Sequence, residues 1–275
     1  MQRDTRILLV GFGNMGSALA RGWLARGLDP AALRAVDPAE RARAAAGALG
    51  IAASDSVAAA AEHAPDVVVL AVKPGELAAA LERCGALRTR AGDAPLYLSI
   101  AAGKTLASML AVLGERAAAV RAMPNTPAAI GQGMTVLVAS RAVDSARRAL
   151  CTELLAAVGE VAWVEDEGAM DAVTAVSGSG PAYVFLLIEC LEQAAIDVGL
   201  DPELARRLAT VTVAGAGAYA RAATVPAAEL RRQVTSPQGT TAAALEVLLG
   251  ADGMPGLLRR AVRAATQRSR ELAAG

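Results

Sequence analysis

Six residues near the start, Gly11-Phe-Gly13-Asn-Met-Gly16, restrict the fold more than any other stretch. They follow RILLVG (6–11), a run with strand character, and open SALARGWLARG (17–27), which has a helical pattern. Three glycines in that setting read as a dinucleotide turn. They let the turn tighten and bring backbone amides up to a pyrophosphate at the positive end of the helix. The plainer reading is a tight strand-to-helix turn with no ligand. The alternation that follows favours the first.

LRAVD (33–37), DVVVLAV (66–72), APLYLSI (94–100) and AAAVRAM (117–123) repeat the strand signal, separated by Ala/Arg/Glu-rich helical stretches. Continuous apolar strands of this kind belong in a parallel sheet covered by helices on both faces. After Trp163 the strand signals stop, and DAVTAVSGSGPAYVFLLIECLEQAAIDVGL, PELARRLATVTVAGAGAYARAA, AAALEVLL and MPGLLRRAVRAATQRSRELAA all read as helices. Gly199-Leu-Asp-Pro202 supplies a helix stop followed by a cap and a first-turn proline. The expected architecture is an α/β Rossmann-type dinucleotide-binding domain over 1–164 and an all-α domain over 165–275. PAYVFLLIECLEQAAIDVGL carries Glu189, Glu192, Gln193 and Asp197, so it reads as a buried helix rather than a membrane span.

Asp37 lies 21 residues beyond Gly16, at the end of the second expected strand. A carboxylate there accepts ribose hydroxyls of NAD and repels the 2′-phosphate of NADP. Arg41 and Arg43 follow closely and offer a phosphate partner, and the three together also suit a solvated helix start capped by Asp37. NADH against NADPH stays open. Ala71-Val-Lys73-Pro74 ends another strand and borders the same crevice, with Lys73 as a ribose or phosphate contact or a surface lysine. Ile100-Ala-Ala-Gly103 and Met123-Pro-Asn-Thr-Pro127 would wall it, their small residues leaving room for a flat nicotinamide.

The 27 basic and 27 acidic residues cancel, which gives no support for a nucleic-acid or anionic-membrane partner, and 3% aromatic content weakens base stacking. Cys84, Cys151 and Cys190 are widely spaced and accompanied by one histidine, so neither a zinc cage nor a disulfide framework is expected. Reduced thiols in a cytosolic protein are the simplest reading. The apolar run in MQRDTRILLVGFG is too short for a secretory segment. His63 reads as a solvated loop residue facing away from the crevice, and Lys73 and Lys104 are the only lysines. No side chain presents itself to move a proton. That suits a substrate arriving already protonated, such as an iminium.

GFGNMGSAL, AVKP, MPNTP, DAVTAVSGSGPAY and VTSPQGTT, in this order, closely resemble the Δ1-pyrroline-5-carboxylate reductase family, from about residue 6 to RSREL near the C-terminus. The resemblance implies reduction of a small cyclic imine acid to proline with NADPH or NADH, the last step of its biosynthesis. It implies that Val10, Gly11, Phe12, Gly13, Asn14 and Met15 cradle the pyrophosphate, that Ala71, Val72, Lys73 and Pro74 line the nicotinamide-side ribose, and that Ala101 and Ala102 lie under the nicotinamide. Ser56 stands where an asparagine meets the adenosine ribose. Thr174 matches the threonine beside the ring nitrogen, Glu167 and Gln233 match positions near the substrate, and Ser236, Gly239, Thr240 and Thr241 match its carboxylate-binding loop. In that family the helical part dimerises and the pocket draws on both subunits; rings of dimers also occur.

Gln238 departs from the family's usual glycine or asparagine, and a left-handed backbone there would strain a glutamine. SGSGPAY (177–183) would cost several kcal/mol inside an undisturbed helix, which points to close backbone approach, to the cofactor or to a partner helix. A reductase of another cyclic imine acid, such as pyrroline-2-carboxylate or piperideine-carboxylate, and a non-catalytic dinucleotide sensor are the competing expectations. A β-hydroxyacid dehydrogenase would want a lysine in the helical half, and none is there.

Overall fold

The computed structural model describes residues 5–274, so the reading of the first four residues falls outside it. The first part runs β1 (Ile7–Val10), α1 (Asn14–Ala25), β2 (Leu33–Val36), α2 (Glu40–Gly47), β3 (Ala52–Ser54), β4 (Val67–Leu70), α3 (Leu77–Cys84), β5 (Leu96–Ser99), α4 (Leu106–Leu113), β6 (Ala119–Met123), β7 (Gly133–Ala139), α5 (Ser145–Ala156) and β8 (Gly159–Trp163). The strands form one sheet in the order β3-β2-β1-β4-β5-β6-β7-β8. Neighbours are parallel except β6 and β7, which run antiparallel. The first six strands have the doubly wound nucleotide-binding order, and the order reverses between β1 and β4. That reversal leaves a crevice at the C-terminal strand ends.

Both faces are covered, as the continuous apolar strands require. Ile7, Leu9, Val67, Val69, Leu96 and Leu98 pack with Leu19, Trp23, Leu154 and Leu155 of α1 and α5. Leu8, Val68, Leu70 and Tyr97 pack on the opposite side with Leu77, Leu81 and Met109 of α3 and α4. Alternate residues of one strand thus enter two different cores. Three strands lie outside the expected set. β3 is only Ala-Ala-Ser, and β8 is partly exposed, so neither has a strong pattern; β7 holds the plainer signal MTVLVA.

The helical part comprises α6 (Met170–Val173), a π-turn at Thr174–Gly178, α7 (Gly180–Asp197), α8 (Pro202–Ala222), α9 (Ala227–Gln233), α10 (Thr240–Leu248) and α11 (Met254–Ala274). Asp201 caps α8 as expected, accepting from the Glu203 and Leu204 amides ahead of Pro202. Two compact units result, 5–178 with 266–274 and, separately, 179–265. The sequence reading divides the chain at 164/165. The later division follows from Met170, whose side chain is buried in the core beside Leu70 and Met109, and from Ser269, whose hydroxyl donates to Asp171 at 2.7 Å.

α7 corrects one expectation. Read as a buried helix, it has no buried residue in the single chain, and Val184, Phe185, Leu186 and Leu191 are exposed. Glu167–Asp197 is long and apolar enough, by length and composition, to cross a membrane. Its apolar pattern does not say what covers it.

Candidate active site

The glycine-rich turn sits at the reversal between β1 and β4. Gly11 has φ +96°, and a Cβ there would lie 2.5 Å from the Ala71 carbonyl oxygen. A Cβ on Gly16 would run into the Gly11 carbonyl. The Ala71 amide donates to Val10 O at 2.7 Å and the Gly11 amide to Val36 O at 2.8 Å, so the turn and the AVKP strand end are in direct backbone contact. Gly13 differs: a Cβ there would meet nothing within 4 Å. It is the N-cap of α1, with no side-chain cap and no acidic residue in the first turn. The free amides of α1 therefore face open room, which fits a pyrophosphate. The residues present suit the expected dinucleotide.

Val10 and Phe12 are buried, with side chains in the two cores, so any part they play at the cofactor is through backbone. Asn14, Lys73 and Pro74 are exposed, Met15 and Val72 are half-buried against the two cores, and Lys73 leads a short 3-10 turn over Pro74–Glu76. Asp37 is doubly engaged: Oδ2 accepts from the Phe12 amide at 2.8 Å and Oδ1 from the Ala39 amide at 2.9 Å. It fastens the glycine turn to the end of β2 and closes a local turn ahead of α2, but it is not the helix cap that the sequence offers as one reading: Ala39 is the N-cap, and no side chain caps α2. The Arg43 guanidinium donates to the carbonyls of Asp37 and Pro38 at 3.0 and 2.7 Å, which keeps a cation at that strand end. The Asp37 amide donates to Ser54 O at 3.1 Å, so the exposed Ser56 lies just beyond a neighbouring strand.

On the other side of the reversal, β5 runs into the Ile100–Thr105 turn. The Ala101 amide donates to Ser99 Oγ at 3.2 Å; the Ala101 side chain is buried, Ala102 is exposed and Gly103 takes φ +72°. Glu167, expected near the substrate, has an interior engagement. Its Oε1 accepts from Arg121 Nη1 and from the Leu106 amide, both at 2.8 Å. Arg121 is 4% exposed, and a buried cation needs such a partner. Asn125 of the MPNTP segment donates from Nδ2 to Ser177 O at 3.1 Å and accepts the Met134 amide at 2.9 Å. Neither Arg121 nor Asn125 is singled out by the sequence reading, although a lone arginine inside the apolar run AAAVRAM is a usable signal.

The SGSG segment (177–180) begins in the π-turn Thr174–Gly178, bends at Ser179 and enters α7 at Gly180. Thr174 and Ser177 hydroxyls donate back to Met170 O at 2.8 Å and Val173 O at 3.0 Å. Within the chain itself, a Cβ on Gly178 would run into the end of the Met123 side chain, whereas one on Gly180 would meet nothing within 4 Å. π-turns of this kind recur at functional sites.

In the second unit, the Thr235–Thr241 segment does not cap α10 with a side chain. Gly239 is the N-cap, its amide donates to Ser236 O at 3.1 Å, and the Thr235 hydroxyl donates to Arg231 O at 2.6 Å. Ser236 and Thr240 are exposed, Thr241 half-buried, and Gln233 is exposed at the end of α9. Gln238 takes φ +59°, the left-handed conformation that its departure from glycine made a concern.

His63 is a correction. It is buried, with Nε2 lying between the carbonyls of Ile7 at 3.2 Å and Ala32 at 3.1 Å, where one N–H is shared. Burial pushes its pKa below the usual histidine value. It faces the N-terminal strand ends, away from the crevice, as expected, but it is not solvated. Burial also raises the Cys84 and Cys151 thiols to about 12, leaving them inert at neutral pH.

A sheet reversing at such a turn, continued by a helical part, places the chain among the NAD(P)H-dependent oxidoreductases. Residues 167–272 match the family described as pyrroline-5-carboxylate reductase dimerisation, and 6–103 the family described as NADP oxidoreductase, coenzyme F420-dependent. A pyrroline-5-carboxylate reductase of Pseudomonas aeruginosa is 46% identical over 98% of this chain and 97% of its own. The solved structure of a Coxiella burnetii pyrroline-5-carboxylate reductase superimposes with a TM-score of 0.91 at 34% identity, covering 98% of this chain and 99% of that one. A Plasmodium falciparum pyrroline carboxylate reductase with NADP bound has a TM-score of 0.83 at 27% identity, covering 99% and 100%. The chain belongs to the pyrroline-5-carboxylate reductase family. Homo-oligomer formation falls to the matched helical part.

Proposed function

We propose that this chain reduces Δ1-pyrroline-5-carboxylate to L-proline with NAD(P)H, and that the geometry at Thr174 carries the mechanism. Its hydroxyl proton is already committed to Met170 O, so Oγ1 presents lone pairs. It therefore receives an N–H rather than supplies one, which suits a substrate that enters as the iminium. When bound, the dihydronicotinamide supplies the hydride to the imine carbon. Hydride addition turns the iminium nitrogen into a neutral secondary amine, with no proton required from the protein. Orientation by the turns on either side of the reversal then carries the rate, an effect that reaches about 7–11 kcal/mol in well-aligned reactions.

The exposed, uncapped start of α10 holds the carboxylate in this reading. Its free amides and the hydroxyls of Ser236, Thr240 and Thr241 form a neutral anion cradle, with Gln233 at its rim. A cationic side chain there would oppose the iminium. The working form is a homodimer in the cytoplasm, with no nucleic-acid or membrane partner; a second copy covers the exposed side of α7. Light scattering distinguishes the dimer from a ring of dimers.

The test is oxidation of NADH and NADPH with pyrroline-5-carboxylate, beside pyrroline-2-carboxylate, piperideine-carboxylate and a hydroxyacid. The highest kcat/KM is expected for pyrroline-5-carboxylate. Preference for another cyclic imine would transfer the assignment to it, and cofactor binding without any imine turnover would leave a sensor. Thr241→Val is expected to raise the substrate KM far more than the cofactor KM; equal effects would remove the loop from the substrate.

A further inference from the structure

The interior pair Arg121–Glu167 joins the two segments that the proposed reaction must hold in register. On one side is the Ile100–Thr105 turn, expected beneath the nicotinamide. It is fastened at its entry by Ser99 Oγ, which accepts the Ala101 amide at 3.2 Å, and at its exit by Glu167 Oε1, which accepts the Leu106 amide at 2.8 Å. Ser99 and Arg121 are neighbours across the β5–β6 pairing. On the other side, Glu167 opens the short turn that leads through α6 to Thr174. The start of α6 is held as well: Asp171 accepts the Ser269 hydroxyl at 2.7 Å, and a Cβ on Gly103 would lie 3.8 Å from Leu272, three residues further along α11.

One carboxylate oxygen thus accepts from the end of the nicotinamide turn and from a strand arginine, at the root of the segment bearing Thr174. Stability alone gives no reason for this arrangement. Even a fully buried ion pair roughly breaks even against apolar residues of the same volume, and here Glu167 is 27% exposed. What it does supply is a fixed geometry, since the 4%-exposed guanidinium leaves the carboxylate little freedom.

We propose that Glu167, held by Arg121, is a positioning residue for hydride transfer: it sets the Ala101–Gly103 turn against Thr174 rather than touching the substrate. The proposal rests on the reductase reading above. Glu167→Ala is expected to lower kcat about 10- to 100-fold, the size of effect that sub-ångström to 1 Å misplacement produces, with substrate KM and cofactor Kd changed less than about three-fold. The kinetic isotope effect from cofactor deuterated at the transferred position should rise as the chemical step becomes limiting. Glu167→Gln keeps the acceptor oxygen and should retain most of the activity.

A raised substrate KM at unchanged kcat would overturn the proposal and return Glu167 to the substrate. So would a loss that follows the melting temperature alone and vanishes well below it. Amide hydrogen exchange gives a readout that needs no turnover. In Glu167→Ala, segments 100–106 and 167–175 should both exchange faster, and in Glu167→Gln neither should; a response in one segment only would refute the joint. If the wild type reduces no cyclic imine, the reductase reading falls while the exchange result still decides whether the two segments are joined here. Should Glu167→Ala fail to fold, Arg121→Lys, which keeps the cation but withdraws the guanidinium fork, carries the same measurements.

Discussion

Gly13 and Gly11 stand two residues apart in one motif, yet alanine at each should affect the free protein to very different extents. At Gly11 the new Cβ would lie 2.5 Å from the Ala71 carbonyl oxygen and 2.7 Å from its carbon, both backbone atoms at a strand end. Side-chain Cβ atoms stay beyond 3.0 Å, so the strand end must retreat by at least 0.5 Å. The backbone at φ +96° also disfavours an L residue, by about 1–2 kcal/mol. Loosening the 2.7 Å bond from the Ala71 amide to Val10 O adds about 1 kcal/mol. A total of about 2–3 kcal/mol corresponds to a melting temperature lower by about 4–12 °C in a chain of this size.

At Gly13 the backbone, with φ −76° and ψ −162°, is open to any residue, and the Cβ would touch nothing. Gly13→Ala should therefore lower the melting temperature without cofactor by only about 1–4 °C, the size of an N-cap glycine giving way to alanine and short of the Gly11→Ala effect. The methyl group would instead occupy the room in front of the uncapped amides of α1. Losing one charge-assisted hydrogen bond to the pyrophosphate costs about 1.5–3 kcal/mol, or about 10- to 150-fold in Kd. Calorimetric titration with NADPH and NADH, beside thermal melts with and without cofactor, measures both quantities. An unchanged Kd in Gly13→Ala, or a loss of free-protein stability equal to that of Gly11→Ala, would refute the placement of the pyrophosphate.

Three further outcomes follow from individual contacts. Burial lowers the His63 pKa, so the unfolded chain binds more protons below about pH 6.5 and stability falls as the pH drops from there; His63→Gln should melt with a flatter pH dependence below about pH 6.5, and an unchanged slope would assign the acid sensitivity to other groups. Gln238→Gly relieves a left-handed glutamine and should stabilise by up to about 1 kcal/mol, whereas Gln238→Val should destabilise by at least as much, and equal melting of the two would show the loop adapts freely. Asp37→Ser removes the acceptor of the Phe12 amide and one negative charge, so affinity should fall for both cofactors but less for NADPH; an equal fall would make Asp37 a fastener of the turn with no part in cofactor choice.

The division of labour within the site explains what the sequence disclosed. Gly11, Ala71 and the strand ends were legible because backbone chemistry demands small residues there and the demand is local. The parallel order was legible from strands whose every residue is apolar, since only a sheet buried on two faces uses them. Glu167 was named only through the resemblance, and its pairing was not legible, because its partners Arg121 and Leu106 are 46 and 61 residues away and carry no motif. His63 misled for a related reason: a histidine among alanines has no periodicity, and the two carbonyls that hold it belong to β1 and to the approach to β2. The reading of Asp37 as ribose acceptor or cap did not include a third use, fastening the glycine turn through the Phe12 amide.

The helical part exposes a different limit. Val184, Phe185 and Leu186 are consecutive, so successive steps of about 100° carry apolar groups around most of α7, the pattern of a helix buried on all sides. Hydrophobic pattern records that a face must leave water but not which chain receives it. In the single chain those residues stay exposed, as do Leu208 and Val211 on α8 and Leu257 and Leu258 on α11. Burying each such side chain is worth about 1.5–3 kcal/mol, so even half a dozen outweigh much of the roughly 4–15 kcal/mol that association costs. Covering these faces is therefore favourable, although the burial energy alone does not name the cover. The apolar run that composition alone allowed to be a core helix or a membrane span is better explained by the match of residues 167–272 to a dimerisation family.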